Sequence, residues 1–304
     1  MTTIWVTGHK NPDTDSICSA LGYAALKGEG YSAGRAGEPN PETAFVLKQF
    51  GLEAPELIEH AQGLDLILVD HNELGQAVDG AAEAKILEIL DHHKIGGIQT
   101  NEPILFCNLP VGCSATIVYT FYKAAGKEPE AKIAGALCSA ILSDTLAFRS
   151  PTCTERDKEA AQALAAIAGI KDMEAYAQEM FKAGSDLSSK TEKEILYLDF
   201  KKFTAGSVTF GVGQVTSMSA AELTSLKTRM EKYMAESFAE HGVDMLFLVL
   251  TDILAESSEL LCCGPGAEDA AHQAFTSAEA DRIYLPGVVS RKKQIVPQLT
   301  EALQ

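Results

Sequence analysis

Positive charge is scarce in this chain. Its 25 lysines and arginines face 42 aspartates and glutamates over 304 residues, for a formal charge of −17. Such a surface repels polyanions wherever cations are not gathered locally, so general nucleic-acid binding is disfavoured. The seven cysteines (Cys18, Cys107, Cys113, Cys138, Cys153, Cys262 and Cys263) include no C-x-x-C pair. An odd number in apolar segments argues against a disulfide framework or a thiolate metal site, and for a reducing cytoplasm. No segment reaches about 18 uninterrupted apolar residues, and no basic flank precedes an apolar stretch at the N-terminus. The expectation is a cytoplasmic protein that is neither exported nor membrane-spanning. A G-x-x-x-x-G-K-[ST] loop is absent, which leaves ATP binding through a P-loop unsupported. "GVGQV" at 211–215 lacks a third glycine and a strand-to-helix context, so it reads as a strand with close backbone packing.

With 46% apolar and 22% charged side chains, the chain can bury a sizeable core and divide into two domains. Short apolar runs at 3–7, 64–69 and 86–90 suit strands buried on both faces of a sheet. Helical stretches lie between them, one marked by Ile17, Leu21, Ala24 and Ala25, another by Phe45, Val46 and Gln49 after Pro41. This alternation predicts an α/β fold with a parallel, doubly wound sheet. Helices dominate 114–183. The polar stretch "AGSDLSSKTEKE" then reads as a linker leading into a short helix. Beyond it, "VTFGVGQV" and "VDMLFLVL" read as strands flanking a long helix over 220–240, a smaller α/β domain with a mixed sheet. The expected division is a first domain at 1–186, a hinge at 187–193 and a second domain at 194–304.

Ligands of parallel α/β sheets collect beyond the carboxyl ends of the strands. His9, Asp13 and Asp15 follow the first run, Asp70 and His71 close "LILVDHNE", and Asp91, His92 and His93 close "ILEILDHH". Asp144 ends the helical stretch "AILSDT". Taken singly, Asp15 or Asp144 reads as a helix cap, Asp70 as a turn residue, and His92 or His93 as a satisfied core histidine. Taken together, they have no structural reason to share one edge of one sheet. Imidazole and carboxylate without thiolate suit Mn, Co, Fe or Zn. Four aspartates and two histidines exceed the needs of one ion. Two ions sharing bridging carboxylates would use them all, hold a hydroxide between them and favour phosphoester or phosphoanhydride hydrolysis. His60, His241 and His272 lie in polar, helix-like surroundings and are expected at the surface. The basic cluster "SRKKQ" at 290–294 stands out against so acidic a chain and suits phosphate recognition, Arg as a planar fork and Lys as a compact charge.

"GHKNPDTDS", "VDHNE", "DHH" at 91–93 and "SDT" together resemble the DHH phosphoesterase superfamily. "GVVSRKKQIVPQL" at 287–299 resembles the second-domain signature of one branch, the manganese-dependent family II inorganic pyrophosphatases. The likeness runs over essentially the whole chain. It implies that His9, Asp13, Asp70 and Asp144 bind one ion, and Asp15, Asp70, His92 and Asp144 the other. His93 would face the substrate, with Lys201, Arg291 and Lys292 gripping phosphate oxygens and Lys202 the alternative to Lys201. It further implies two Mn2+ or Co2+ ions per subunit, Mg2+ travelling with pyrophosphate, and a homodimer formed through the first domain. Substrate would bridge the two domains as the linker around 185–191 bends. An exopolyphosphatase or oligonucleotide phosphodiesterase of the same superfamily is the alternative activity, and a non-catalytic metal- or phosphate-binding regulator is a more distant one.

Overall fold

The computed structural model describes residues 3–184, 187, 190–217, 219–275 and 282–304. The chain forms two compact units, Met1–Gly184 and Ser185–Gln304, each with its own sheet. Residues 188 and 189 of the expected hinge, and 185 and 186 just before it, lie outside the described residues.

In the first unit, β1 (Ile4–Thr7), β2 (Tyr31–Arg35), β3 (Glu56–Leu57), β4 (Asp65–Val69), β5 (Lys85–Asp91) and β6 (Leu105–Asn108) make one six-stranded sheet. All its pairings are parallel, in the order β3-β2-β1-β4-β5-β6. The strands run outward in both directions from β1, the doubly wound order the apolar runs predicted. The helices are α1 (Thr14–Lys27), α2 (Pro41–Gln49), α3 (Ser114–Ala124), α4 (Ala131–Asp144), α5 (Glu155–Ala168) and α6 (Met173–Gly184). α1 starts where Asp13 accepts the Ser16 amide at 2.9 Å, so Asp13 is the cap and Asp15 lies inside the first turn. Near β4 and β5, part of the sheet is covered without an α-helix. Ile58, Ala61, Ala77 and Val78 pack there on Leu66, Leu68 and Ile89, and β4 passes to β5 through the 3-10 turn Ala81–Glu83.

Register decides where the loops meet. Thr7 of β1 lies opposite Leu68 of β4, and Val69 of β4 opposite Leu90 of β5. The three strands are therefore neighbours whose ends lie side by side, with His9, Asp70 and His92 just beyond them. Between Leu66 and Ile67 the ladder is irregular: Leu66 faces Ile86 but Ile67 faces Glu88, so Leu87 has no partner.

In the second unit, α7 (Glu192–Tyr197) is capped by the Thr191 hydroxyl, and β7 (Phe200–Ala205) pairs antiparallel with β8 (Val208–Ser217). After α8 (Ala220–Ser237), β9 (Met245–Asp252) joins β8 in parallel. β10 (Ser257–Cys263) and β11 (Ile283–Pro286) complete an antiparallel edge. The sheet, ordered β11-β10-β9-β8-β7, is mixed as expected. Its remaining helices are α9 (Ala267–Ala274) and α10 (Val296–Ala302). Phe210, Val212 and Phe247 pack on one side with Ile295 and Leu299, while Leu246 and Leu248 pack on the other with Ile195 and Met230. The glycines of "GVGQV" are there for close approach. A Cβ on Gly211 would lie 2.4 Å from the Phe200 ring, and one on Gly213 would lie 2.9 Å from the Leu196 carbonyl.

His241 departs from expectation. It is buried, because the 3-10 turn Phe238–His241 folds it back so that Nδ1 lies 2.8 Å from the Tyr197 hydroxyl and Nε2 2.9 Å from Ser237 Oγ. His60 and His272 are exposed. Among the described residues, no helix is long and apolar enough to cross a membrane.

Candidate metal centre

Asp70 is the hub of the first unit's polar cluster. It is almost fully buried. Its Oδ2 lies 3.3 Å from His9 Nε2, and its Oδ1 3.4 Å from His92 Nε2. His9 Nε2 is also 3.5 Å from Asp13 Oδ2, and His92 Nε2 is 3.8 Å from Asp144 Oδ2. Asp144 in turn shares a potential ligand group with Asp15 and Cys113, all donor atoms within 4.8 Å of one another. The six side chains expected as ligands thus form one continuous cluster, built from the ends of β1, β4 and β5 together with α1 and the last residue of α4.

Several of these donors are aimed by neighbours. Two amides at the N-terminus of α3, Ser114 N at 2.6 Å and Ala115 N at 3.0 Å, hold the Asp15 carboxyl, and Ser19 Oγ adds a bond of 2.6 Å. The Ser16 hydroxyl donates to Asp70 Oδ2 at 2.9 Å. His92 turns Nδ1 to the Val111 carbonyl at 3.1 Å, leaving Nε2 on the cluster. His93 places Nδ1 2.9 Å from Asp91 Oδ1 and 3.7 Å from Asp70 Oδ1, and its ring is partly exposed. Asn72 fastens the same loop, bonding Asp91 and, at 2.9 Å, the Lys94 carbonyl.

The electrostatics are those of a site short of positive charge. Burial, then repulsion from Asp70, pushes the Asp15 carboxyl up to about 7. Burial and the neighbouring Asp15 also push Asp144 well above the usual carboxylate range. For Asp70, burial alone would do the same, but hydrogen bonds from His9 and His92 outweigh it and hold the group well below that range. His9 is depressed by burial, yet Asp13 and Asp70 prevail and raise it well above its ordinary 6.5. Buried carboxylates that repel one another need a cation. Oxygen and imidazole ligands bind such ions at about 2.0–2.2 Å, which sets neighbouring donors roughly 3 Å apart. The observed spacings of 3.3–3.8 Å around Asp70 and His92 suit such ions with little movement.

Cys113 was missed as a neighbour of the carboxylates. The sequence offered only an apolar cysteine before a helix, and the 99-residue separation that brings Ser114 to Asp15 leaves no local signal. His71 adds a second surprise. Its Nδ1 lies 2.8 Å from the Val69 carbonyl and its buried Nε2 has no hydrogen-bond partner, while burial lowers its pKa to about 4.

In the second unit, "SRKKQ" forms a π-helical turn, Arg291–Ile295, leading into α10. Pro297 supplies no amide to this junction. Arg291 is buried, with NH2 2.7 Å from Asp199 Oδ1 and NH1 donating to the Asp199 carbonyl. NH1 also reaches the Val212 carbonyl at 3.4 Å. Lys201 faces Val212 across the β7–β8 ladder, and so lies on the side of the sheet where Ile295 and Leu299 pack. Lys202 points the other way, its Nζ 3.4 Å from the Gly242 carbonyl. Lys292 is exposed. Gln214 and Gln294 fix the turn: Gln214 Oε1 accepts Arg291 N at 3.2 Å, and Gln294 Oε1 accepts Val289 N and Ser290 N at 3.0 Å each. Neither glutamine stood out in the sequence, because an amide that braces a loop carries no motif of its own.

A doubly wound sheet whose strand ends gather aspartates and histidines around a buried, shared carboxylate defines a metal-dependent hydrolase of the α/β class. Residues 3–141 match the family described as DHH family, N-terminal domain, and residues 178–302 the DHHA2 domain. A protein of Clostridium acetobutylicum named probable manganese-dependent inorganic pyrophosphatase is 47% identical over 306 residues, covering 99% of this chain and 98% of its own. The manganese-dependent inorganic pyrophosphatase of Methanothrix thermoacetophila is 44% identical over 307 residues, covering 99% and 98%. Among solved structures, a Methanococcus jannaschii protein described as a family II inorganic pyrophosphatase matches with a TM-score of 0.85 at 42% identity, covering 99% of each chain. The chain belongs to the DHH family, in the DHHA2-bearing branch of the manganese-dependent, family II inorganic pyrophosphatases.

Proposed function

We infer that this protein is an inorganic diphosphatase that splits pyrophosphate into two orthophosphates with Mn2+ as its resident metal. The observation that carries the reading is Asp70 standing 3.3 Å from His9 Nε2 and 3.4 Å from His92 Nε2, with one carboxylate oxygen toward each. That arrangement suits two ions sharing one ligand. His9, Asp13, Asp70 and Asp144 would hold the first ion, and Asp15, Asp70, His92 and Asp144 the second. Bound there, the pair supplies Lewis acidity toward phosphate oxygens and lowers the pKa of water. Co2+ is an alternative occupant given the nitrogen and oxygen donors, and Mg2+ would accompany the substrate.

The chain's own residues do the rest. Asp91 fixes His93 with Nδ1 toward the carboxylate, which leaves Nε2 to meet a substrate oxygen. Arg291, Lys292 and Lys201 bind phosphate oxygens, and the placement of Lys201 on the face shared with the Arg291–Ile295 turn favours it over Lys202. These cations would offset part of the substrate's negative charge. The chain's formal charge of −17 suits a small anion admitted to a local cationic site and not a polynucleotide. A cytoplasmic setting agrees with the free cysteines. A homodimer through the first domain agrees with the open edge at β6, where Leu105 and Phe106 are 42% and 37% exposed.

The deciding experiment is orthophosphate release by chelator-stripped protein before and after Mn2+ is restored, with pyrophosphate, tripolyphosphate and a diribonucleotide as substrates. Restored release from pyrophosphate above the other two is expected. Equal or faster release from tripolyphosphate would replace this reading with an exopolyphosphatase, and from the diribonucleotide with a phosphodiesterase.

A further inference from the structure

We propose that Asp157 is a positioning residue for one of the two metal sites, acting through the segment 111–116, an inference that rests on the metal-centre reading above. Asp157 is completely buried in the first turn of α5, and it is not among the expected ligands. Its Oδ2 accepts Thr154 N at 2.8 Å and Thr154 Oγ1 at 2.6 Å, which suffices to cap α5. Two further bonds leave the helix. Oδ2 also accepts Gly112 N at 2.8 Å, and Oδ1 accepts Thr116 Oγ1 at 2.6 Å.

Those two anchors bracket a segment whose polar groups face the metal centre. The Val111 carbonyl takes His92 Nδ1 at 3.1 Å, and the Ser114 and Ala115 amides take Asp15 at 2.6 and 3.0 Å. Gly112 is pressed between Asp157 and the residue after Asp144: an added Cβ would lie 2.8 Å from Thr145 Cγ2 and 3.0 Å from Asp157 Oδ2. One buried carboxyl thus fixes the loop that orients Asp15 and His92 and abuts the end of α4 carrying Asp144. The His9 and Asp13 side of the cluster is oriented separately, by Ser16, whose amide bonds Asp13 and whose hydroxyl accepts the His9 amide. The second ion, which alone uses Asp15 and His92, should therefore depend on Asp157 more strongly than the first, which shares only Asp70 and Asp144 with it. Partners that orient ligands typically govern metal affinity by roughly 10–100-fold.

The test is calorimetric titration of Mn2+ into chelator-stripped wild type, Asp157→Asn, Thr116→Val and Thr154→Ala, with melting of each stripped protein measured alongside. Wild type should bind two ions. Asp157→Asn should weaken one of them by roughly 10–100-fold and the other by clearly less. Thr116→Val, which deletes only a loop bond, should weaken the same ion by less. Thr154→Ala, which deletes only a capping bond, should lower the melting temperature and change neither affinity. If Asp157→Asn does not fold, Thr116→Val decides. Loss of both ions in parallel with stability, or no change in either for Thr116→Val, would reduce Asp157 to a helix cap. Fewer than two ions in wild type would overturn the metal-centre reading and this inference with it.

Discussion

Asp70 leaves β4 with φ at 61°, a left-handed conformation that Asp and Asn tolerate better than most residues. Held there, it costs of order 1–3 kcal/mol, and the turn sends one oxygen toward each imidazole. Asp70→Asn keeps the backbone preference and removes the charge. Its Mn2+ affinity should fall by more than the roughly 100-fold upper range of an outer-shell change, read by titration of the stripped protein; retained affinity would remove Asp70 from the shared position. Arg291 presents the opposite situation, a phosphate-binding candidate already engaged by Asp199 at 2.7 Å. Because Asp199 is half exposed, that pairing is worth on the order of 1 kcal/mol or less. Asp199→Asn should lower KM for pyrophosphate a few-fold with little change in kcat, and an unchanged or raised KM would show that Asp199 serves to orient Arg291 and does not compete for it.

At the scale of elements, the first sheet offers a surface that can be tested directly. Among the described residues β6 pairs only with β5, and it presents Leu105 and Phe106 at that edge. For the homodimer proposed above, Phe106→Asp should convert dimer to monomer in analytical ultracentrifugation; a dimer that survives, or a wild type that is already monomeric, would remove this edge as the contact. Apolar runs revealed β1, β4 and β5 because strands buried on both faces have little choice of residue. They missed β2, whose sequence YSAGR is partly exposed and carries glycine and arginine, β3, which is only two residues long, and β6, whose LFCN is half exposed. The clustering of His9, Asp70 and His92 was legible because the end of a parallel strand is a predictable place for polar groups to gather. The supports were not: Asp157, Cys113, Asn72 and Gln214 act across sequence separations that no local pattern marks. His241 was misplaced for a related reason, since a polar neighbourhood in the chain says nothing of Tyr197 folding over it 44 residues away.

Across the whole molecule, the cluster should make stability depend on pH in opposite senses with and without metal. His9 and Asp15 bind a proton more tightly folded than unfolded, the first held above 6.5 and the second raised to about 7. Their contribution is complete below the unfolded values and is lost as pH rises through the folded ones. The stripped protein should therefore gain stability as pH falls through about 7. Below that, His71, lowered to about 4, works against the gain. With Mn2+ bound, protons compete with the metal and the same descent should destabilise. Differential scanning calorimetry should show the two melting temperatures moving in opposite directions, with each 1 kcal/mol worth roughly 2–4 °C for a domain of this size. Parallel movement would mean that these groups do not bind the ion. The partnerless Leu87 in β5 has a bearing on all of this. Each strand residue advances the chain by about 3.3 Å and alternates the side it faces. Trimmed of that one leucine, β5 would deliver His92 a step short and turned to the reverse side, so the spacing of the clustered aspartates and histidines is measured out in chain length well before the loop that carries them.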